Sequence, residues 1–178
     1  KSKGDQVFLF APGSERTHRY NPIDFIRPDR GDRTTDIQNM AAILVPEVTE
    51  SENSIWQATA QQVIAGAISY INESVYYKGH RTLGEVTSFF NSGANLQAMM
   101  TLIKKREPYL SRFTTESFNA YIALSERAAA SALLDIQKAL RPFRNERVVA
   151  ATSATDMDLR ALKRRPISIY LAPNVTDI

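Results

Sequence analysis

Two short apolar runs at opposite ends of an otherwise helical chain constrain the fold more than anything between them. Gln6-Val7-Phe8-Leu9-Phe10-Ala11-Pro12 is stopped by proline and Gly13, and Ile167-Ser168-Ile169-Tyr170-Leu171-Ala172 follows Pro166. Both read as buried β-strands. A lone pair of strands is marginal in water. The two runs therefore read as members of a larger α/β sheet whose other strands lie outside this chain, with the helical part inserted in a connection of that sheet.

The middle of the chain carries helical periodicity. In "HRYNPIDFIRPDRGDR", Pro22, Pro28 and Gly31 argue against long regular structure. Thr34 or Thr35 is then expected to cap a helix with Ile37, Met40, Ala41 and Leu44 on one face, ended by Pro46. A long helix from about Ser54 to Tyr77 carries the stripe Trp56, Ala60, Val63, Ile64, Ala67 and Ile71. Trp56 reads as core, and Gly66 and Ala67 leave room for a neighbouring helix. Thr82-Leu83-Gly84-Glu85 has the form of a capping box for a helix to about Asn91. Asn95 is expected to cap another, with Leu96, Met99, Met100 and Ile103 inward and Lys104, Lys105 and Arg106 in the last turn. A helical region from Thr115 to Leu140 breaks near Ser125. Arg147–Ala151 reads as a short strand or an extended link, and Asp156–Leu162 as a helical turn capped from its own segment.

Several chemistries are excluded by composition. The 178 residues include no cysteine and only His18 and His80, so thiolate and histidine-rich metal sites are out of reach. No stretch approaches the roughly 20 apolar residues of a membrane span. The chain starts at Lys1 without methionine, which suggests a piece of a longer protein. Ser153, Thr155, Asp156 and Asp158 have no neighbouring base in sequence to activate a hydroxyl, and His18 has no evident catalytic partner. No active site is expected.

The charge is uneven although the net is only +3. Lys138, Arg141, Arg144, Arg147, Arg160, Lys163, Arg164 and Arg165 are opposed by Glu146, Asp156 and Asp158 alone. Such a segment either contacts phosphates, gaining from counterion release, or forms a solvated face with some arginines in salt bridges. Lys104 and Lys105 open a second cluster, which dipole complementation also explains. Glu47, Glu50 and Glu52 read as a solvated acidic loop.

"RYNPIDFI" after an apolar strand, then "DIQNMAAILVPE", "SIWQATAQQVIAGAISYI" and above all "ATSATDMDLRALKRRPISIYLAP" resemble the TraG/TraD-type coupling proteins of type IV secretion and conjugation. The resemblance implies a parent that is a membrane-anchored, hexameric RecA-like ATPase using ATP and Mg on the cytoplasmic face of the bacterial inner membrane. It implies an all-α domain that recognises DNA, or relaxase and effector proteins. The fold class expected is mainly α: a helical bundle flanked by two strands of an incomplete RecA-like α/β domain. Residues 1–33 and 146–178 would be the flanks and 34–145 the all-α domain. No stretch matches G-x-x-x-x-G-K-[ST], and a Walker-B strand is missing too, so this chain is not expected to hydrolyse ATP or hold a cofactor. Candidate nucleic-acid contacts are Arg141, Arg144, Arg147, Lys163, Arg164, Arg165, Lys104 and Lys105. The alternatives are a protein-only adaptor and a structural module between subunits.

Overall fold

The two terminal strands pair with each other. In a computed structural model, which describes residues 6–46 and 54–173, β1 (Gln6–Phe10) and β2 (Ile167–Leu171) form a parallel ladder, with Gln6 opposite Ile167 and Phe10 opposite Leu171. The other edge of β1 is occupied by residues 17 and 18. The Leu9 N–H donates to His18 Nδ1 (3.0 Å), and the His18 N–H returns to the Leu9 carbonyl (2.8 Å). The outer edge of β2 has no strand on it among the described residues. Neither strand is buried as expected. Val7, Leu9, Tyr170 and Leu171 are exposed, because two strands present both faces to solvent when no helix layer covers them.

Everything between the strands is one long, largely helical crossover. Helix α1 spans Arg30–Leu44, α2 Ser54–Glu73, α3 Leu83–Phe90, α4 Leu96–Arg106, α5 Arg112–Ile122, α6 Glu126–Ala139 and α7 Glu146–Ala151. Helix α2 is the axis. From Val63 to Ile71 it is buried all round rather than along one stripe, packed by α1, α3, α5 and α6. At Gly66 the α5 backbone comes so close that an added Cβ would lie 2.5 Å from Ser117 Cβ. The core continues through Ile37, Phe89, Met100, Phe118, Ile136 and Leu140.

Two caps fall where the sequence puts them: Thr82 Oγ1 accepts from the Glu85 N–H and Asn95 Oδ1 from Ala98. The helical region breaks near Ser125 as expected, and there Ser125 Oγ accepts from the Ala128 N–H and starts a new helix. Three expectations are corrected. Helix α1 starts at Arg30, not at Thr34, because the Asp29 carboxylate accepts from the Gly31 and Asp32 N–H groups and glycine is tolerated in an uncrowded first turn. The long helix stops at Glu73, and Ser74 caps a separate 3-10 turn, Val75–Tyr77. Arg147–Ala151 is helical, not extended. Asn145 caps α7, and Val149 packs within 3.0 Å of where a Cβ on Gly84 would sit, so tertiary contact overrides the strand preference of Val148 and Val149. The side chain of Trp56 and the loop with Glu47, Glu50 and Glu52 lie outside the described residues.

Candidate functional site

The stretches that carry the family resemblance meet in space. Residues 19–24 and 151–156 lie against each other where the helical crossover leaves and rejoins the strands. The Arg19 guanidinium grips Asp156 through Nε (3.1 Å) and Nη2 (2.8 Å), and the Arg19 N–H adds a third bond at 2.8 Å. The Tyr20 N–H donates to the Ala151 carbonyl (2.8 Å), and the Asp156 N–H to that of Arg19 (3.0 Å). Thr155 Oγ1 donates to Asp24 Oδ2 (2.7 Å), and Asn21 Nδ2 reaches the Arg81 carbonyl (2.8 Å). Asp156 is therefore not a cap for the turn after it. Asp158 takes that role for the 3-10 helix Leu159–Lys163.

This clasp has a pH signature. Side-chain and main-chain hydrogen bonds from Arg19 hold the Asp156 carboxyl down at about 2, and Arg27 does the same for Asp36. The ordinary value is about 4. A carboxylate with a depressed folded value stabilises the fold fully above the ordinary value, and that contribution is lost as pH falls toward 2. Thermal unfolding should thus show stability falling between about pH 4 and pH 2, with a shallower fall in Asp156→Asn. An unchanged acid limb in that variant would refute the assignment.

The candidate basic residues occupy four places. Arg141 and Arg144 sit on a 3-10 turn against α3, α6 and α7, where residues three apart eclipse and point the same way. Both are exposed and make no side-chain bond to any described residue. Lys163, Arg164 and Arg165 are exposed in the same way just before β2. Arg147 differs: its guanidinium donates to the Gly13 carbonyl and to Glu15 (3.2 Å each), tying α7 to the loop after β1. Lys104 bonds Asn119 on α5, and Lys105 is exposed beside it. Glu15 and Asn119 are remote in sequence, so spacing alone could not reveal these engagements.

Two cavities accompany the surface. One of about 700 Å³ lies at the start of α5, lined by Arg33, Glu73, Ser111, Arg112 and Glu116 among others. Its charges are largely internal, since Arg33 pairs with Glu73 and Arg112 with Glu116. The other, about 450 Å³, is an apolar groove of Tyr20, Phe25, Ile26, Met40, Leu83 and Phe143, with Ile43 80% exposed on its rim. Among the described residues no three His, Asp or Glu side chains converge as a metal-holding group, and no helix is long and apolar enough to cross a membrane.

A helical bundle carried on two parallel strands, with its outgoing and returning stretches clasped together, is the architecture of a helical insertion between two strands of an α/β sheet. From residue 1 to residue 178 the chain matches the family described as type IV secretory system conjugative DNA transfer, and it belongs to that family. Its fold is similar to the plasmid coupling protein TrwB with the non-hydrolysable GTP analogue GDPNP (TM-score 0.61, 16% identity, 96% of this chain and 36% of that one). The same protein with ADP and Mg2+ gives 0.60 at 14% identity, covering 96% and 36%. The unbound monoclinic form of TrwBdeltaN70 gives 0.60 at 15% identity, covering 93% and 34%. The chain thus spans about a third of the solved structures it matches, and at these identities the likeness is one of fold. None of the curated proteins matches the sequence. No stretch of the sequence has the form G-x-x-x-x-G-K-[ST].

Proposed function

We propose that this chain is the substrate-recognition part of a conjugative coupling protein and engages transferred DNA through its phosphates. The observation that carries the reading is the pair Arg141 and Arg144, eclipsed on one turn, exposed and uncommitted to other side chains. Lys163, Arg164 and Arg165 supply further uncommitted charge, and Lys105 is a separate exposed charge on α4. Arg147 and Lys104 serve as structural ties first. No base-reading motif is present, so affinity is nearly independent of sequence. Nucleotide hydrolysis belongs to segments of a longer parent, a hexameric ATPase at the inner membrane, and not to this chain's side chains.

Fluorescence anisotropy of labelled single- and double-stranded oligonucleotides at several salt concentrations tests the reading. Micromolar binding that weakens steeply with salt is expected, the log–log slope being about −0.9 per phosphate neutralised on duplex. Arg141→Glu with Arg144→Glu and Arg164→Glu should abolish it. Unchanged affinity of that triple variant at low salt would sink the assignment. A second reading, a protein adaptor for relaxase or effector cargo, is favoured by the apolar groove and the bare Ile43. It predicts binding to a polypeptide that survives moderate salt.

A further inference from the structure

The loop between α2 and α3 carries a feature that the phosphate-contact reading does not use. After Ser74, each residue from Tyr76 to Arg81 except Gly79 is aromatic or basic: Tyr76, Tyr77, Lys78, His80 and Arg81. Local hydrogen bonds fix the backbone. Ser74 caps the 3-10 turn, the Lys78 N–H returns to Val75 and the His80 N–H to Tyr77. Gly79, at φ +95°, makes the reversal with open space around it, a conformation that side chains rarely adopt.

Tyr77 is half-buried against the core, whereas the Tyr76 ring is displayed. Tyr76 is 73% exposed and Val75 70%. Tyr77 and His80 meet Tyr76 edge-on, at interplanar angles of 85° and 75°, and no described ring lies parallel upon it. Tyr109 belongs to the same patch: it is exposed, and its hydroxyl accepts from the Val75 N–H (3.4 Å). Glu107 is occupied by the hydroxyls of Tyr70 (2.9 Å) and Tyr109 (2.5 Å), while Lys78 and His80 face solvent.

The geometry points to a stacking platform for single-stranded nucleic acid, in which unpaired bases lie on Tyr76 and Tyr109 while the exposed Lys78 follows the phosphates. An exposed aromatic with no other ring stacked on it is a base-sized surface that every base can use. The exposed Lys78 on the same short loop supplies a charge that a phosphate backbone needs and an apolar protein partner does not. Duplex hides its base faces, so the platform distinguishes unpaired from paired strands. The inference rests on the DNA-engaging reading and assigns it a second, strand-state-selective contact.

The test uses the 178-residue chain with a labelled oligo-dT and a duplex of equal length, in wild type, Tyr76→Ala, Tyr76→Trp and the arginine triple variant. Tyr76→Ala should weaken oligo-dT binding about tenfold, leave duplex binding and the salt slope unchanged, and Tyr76→Trp should restore affinity. Photocrosslinking of a 4-thiothymidine oligonucleotide should label the peptide containing Tyr76 and His80. If wild type binds and the triple variant does not, but Tyr76→Ala matches wild type, the platform is refuted while the phosphate reading stands. Equal losses on single strand and duplex also refute stacking. No binding of either oligonucleotide by wild type overturns both readings and leaves the patch as a protein-docking surface.

Discussion

Glu73→Ala lowers the unfolding free energy by about 3 kcal/mol, the low end of the cost for breaking a largely buried ion pair from one side. The Glu73 carboxylate closes the C-terminal turn of α2 and reaches across to the start of α5. It accepts from the Ser111 N–H (2.8 Å), from Ser111 Oγ (3.0 Å), from Ser69 Oγ (3.2 Å) and from Thr114 Oγ1. Arg33, from α1, completes the network at 3.2 Å from Glu73 and also donates to Ser69 and Asn72. Side-chain exposure is only 13% for Arg33 and 16% for Glu73, so water replaces only part of what is removed. Deleting the carboxylate strands a cation beside two fully buried hydroxyls, Ser69 and Thr114. Urea denaturation measures the loss. The double variant Arg33→Met/Glu73→Leu should recover most of it, since an apolar pair removes the uncompensated charge. A loss below about 1 kcal/mol, the worth of an exposed pair, would show that the network is solvated.

Gly66→Val should cost a comparable amount, about 3 kcal/mol. Glycine in a helix interior is ordinarily unfavourable by up to about 1 kcal/mol against alanine, so replacing it would normally help. Here the Cβ would sit 2.5 Å from Ser117 Cβ. The obstacle is attached directly to the α5 backbone, so no rotamer change relieves it and α2 and α5 must separate. The decisive variant is Gly66→Ala with and without Ser117→Gly. If the close approach is the cause, the second change rescues the first, with a coupling above about 1 kcal/mol. Purely additive effects would assign the cost elsewhere.

Neither site could be ranked from the sequence. Gly66 stood out as small on an apolar helix, which indicates a close neighbour without saying which. Glu73 carries no local signal, because its partners come from residues 33, 69, 111 and 114. The clasp residues were legible only as strings: Arg19 and Asp156 lie 137 positions apart, and nothing in either segment states that they touch. The loop from Tyr76 to Arg81 was hidden by its neighbour. The apolar periodicity of α2 continues far enough to absorb Tyr77, and only the stop at Glu73 with the Ser74 cap sets these rings outside the helix.

By itself the sequence determined what local physics can decide. Alternation between apolar runs and 3.6-residue periodicity fixed strand, helices, strand. Short polar side chains at Thr82 and Asn95 fixed helix starts, since their oxygens reach N–H groups within three residues. Prolines fixed stops. The absence of cysteine and the scarcity of histidine excluded whole chemistries. Tertiary structure decided what depends on partners distant in the chain. It made α7 a helix by seating Val149 against Gly84, and it joined β1 to β2 across the entire bundle. It also sorted the cations into those held by the protein, such as Arg147 and Lys104, and those left to solvent, such as Arg141 and Arg144. The reason is common to all three. A hydrogen bond or a packing contact depends on distance in space, and sequence spacing encodes that distance only within a turn or two of regular structure.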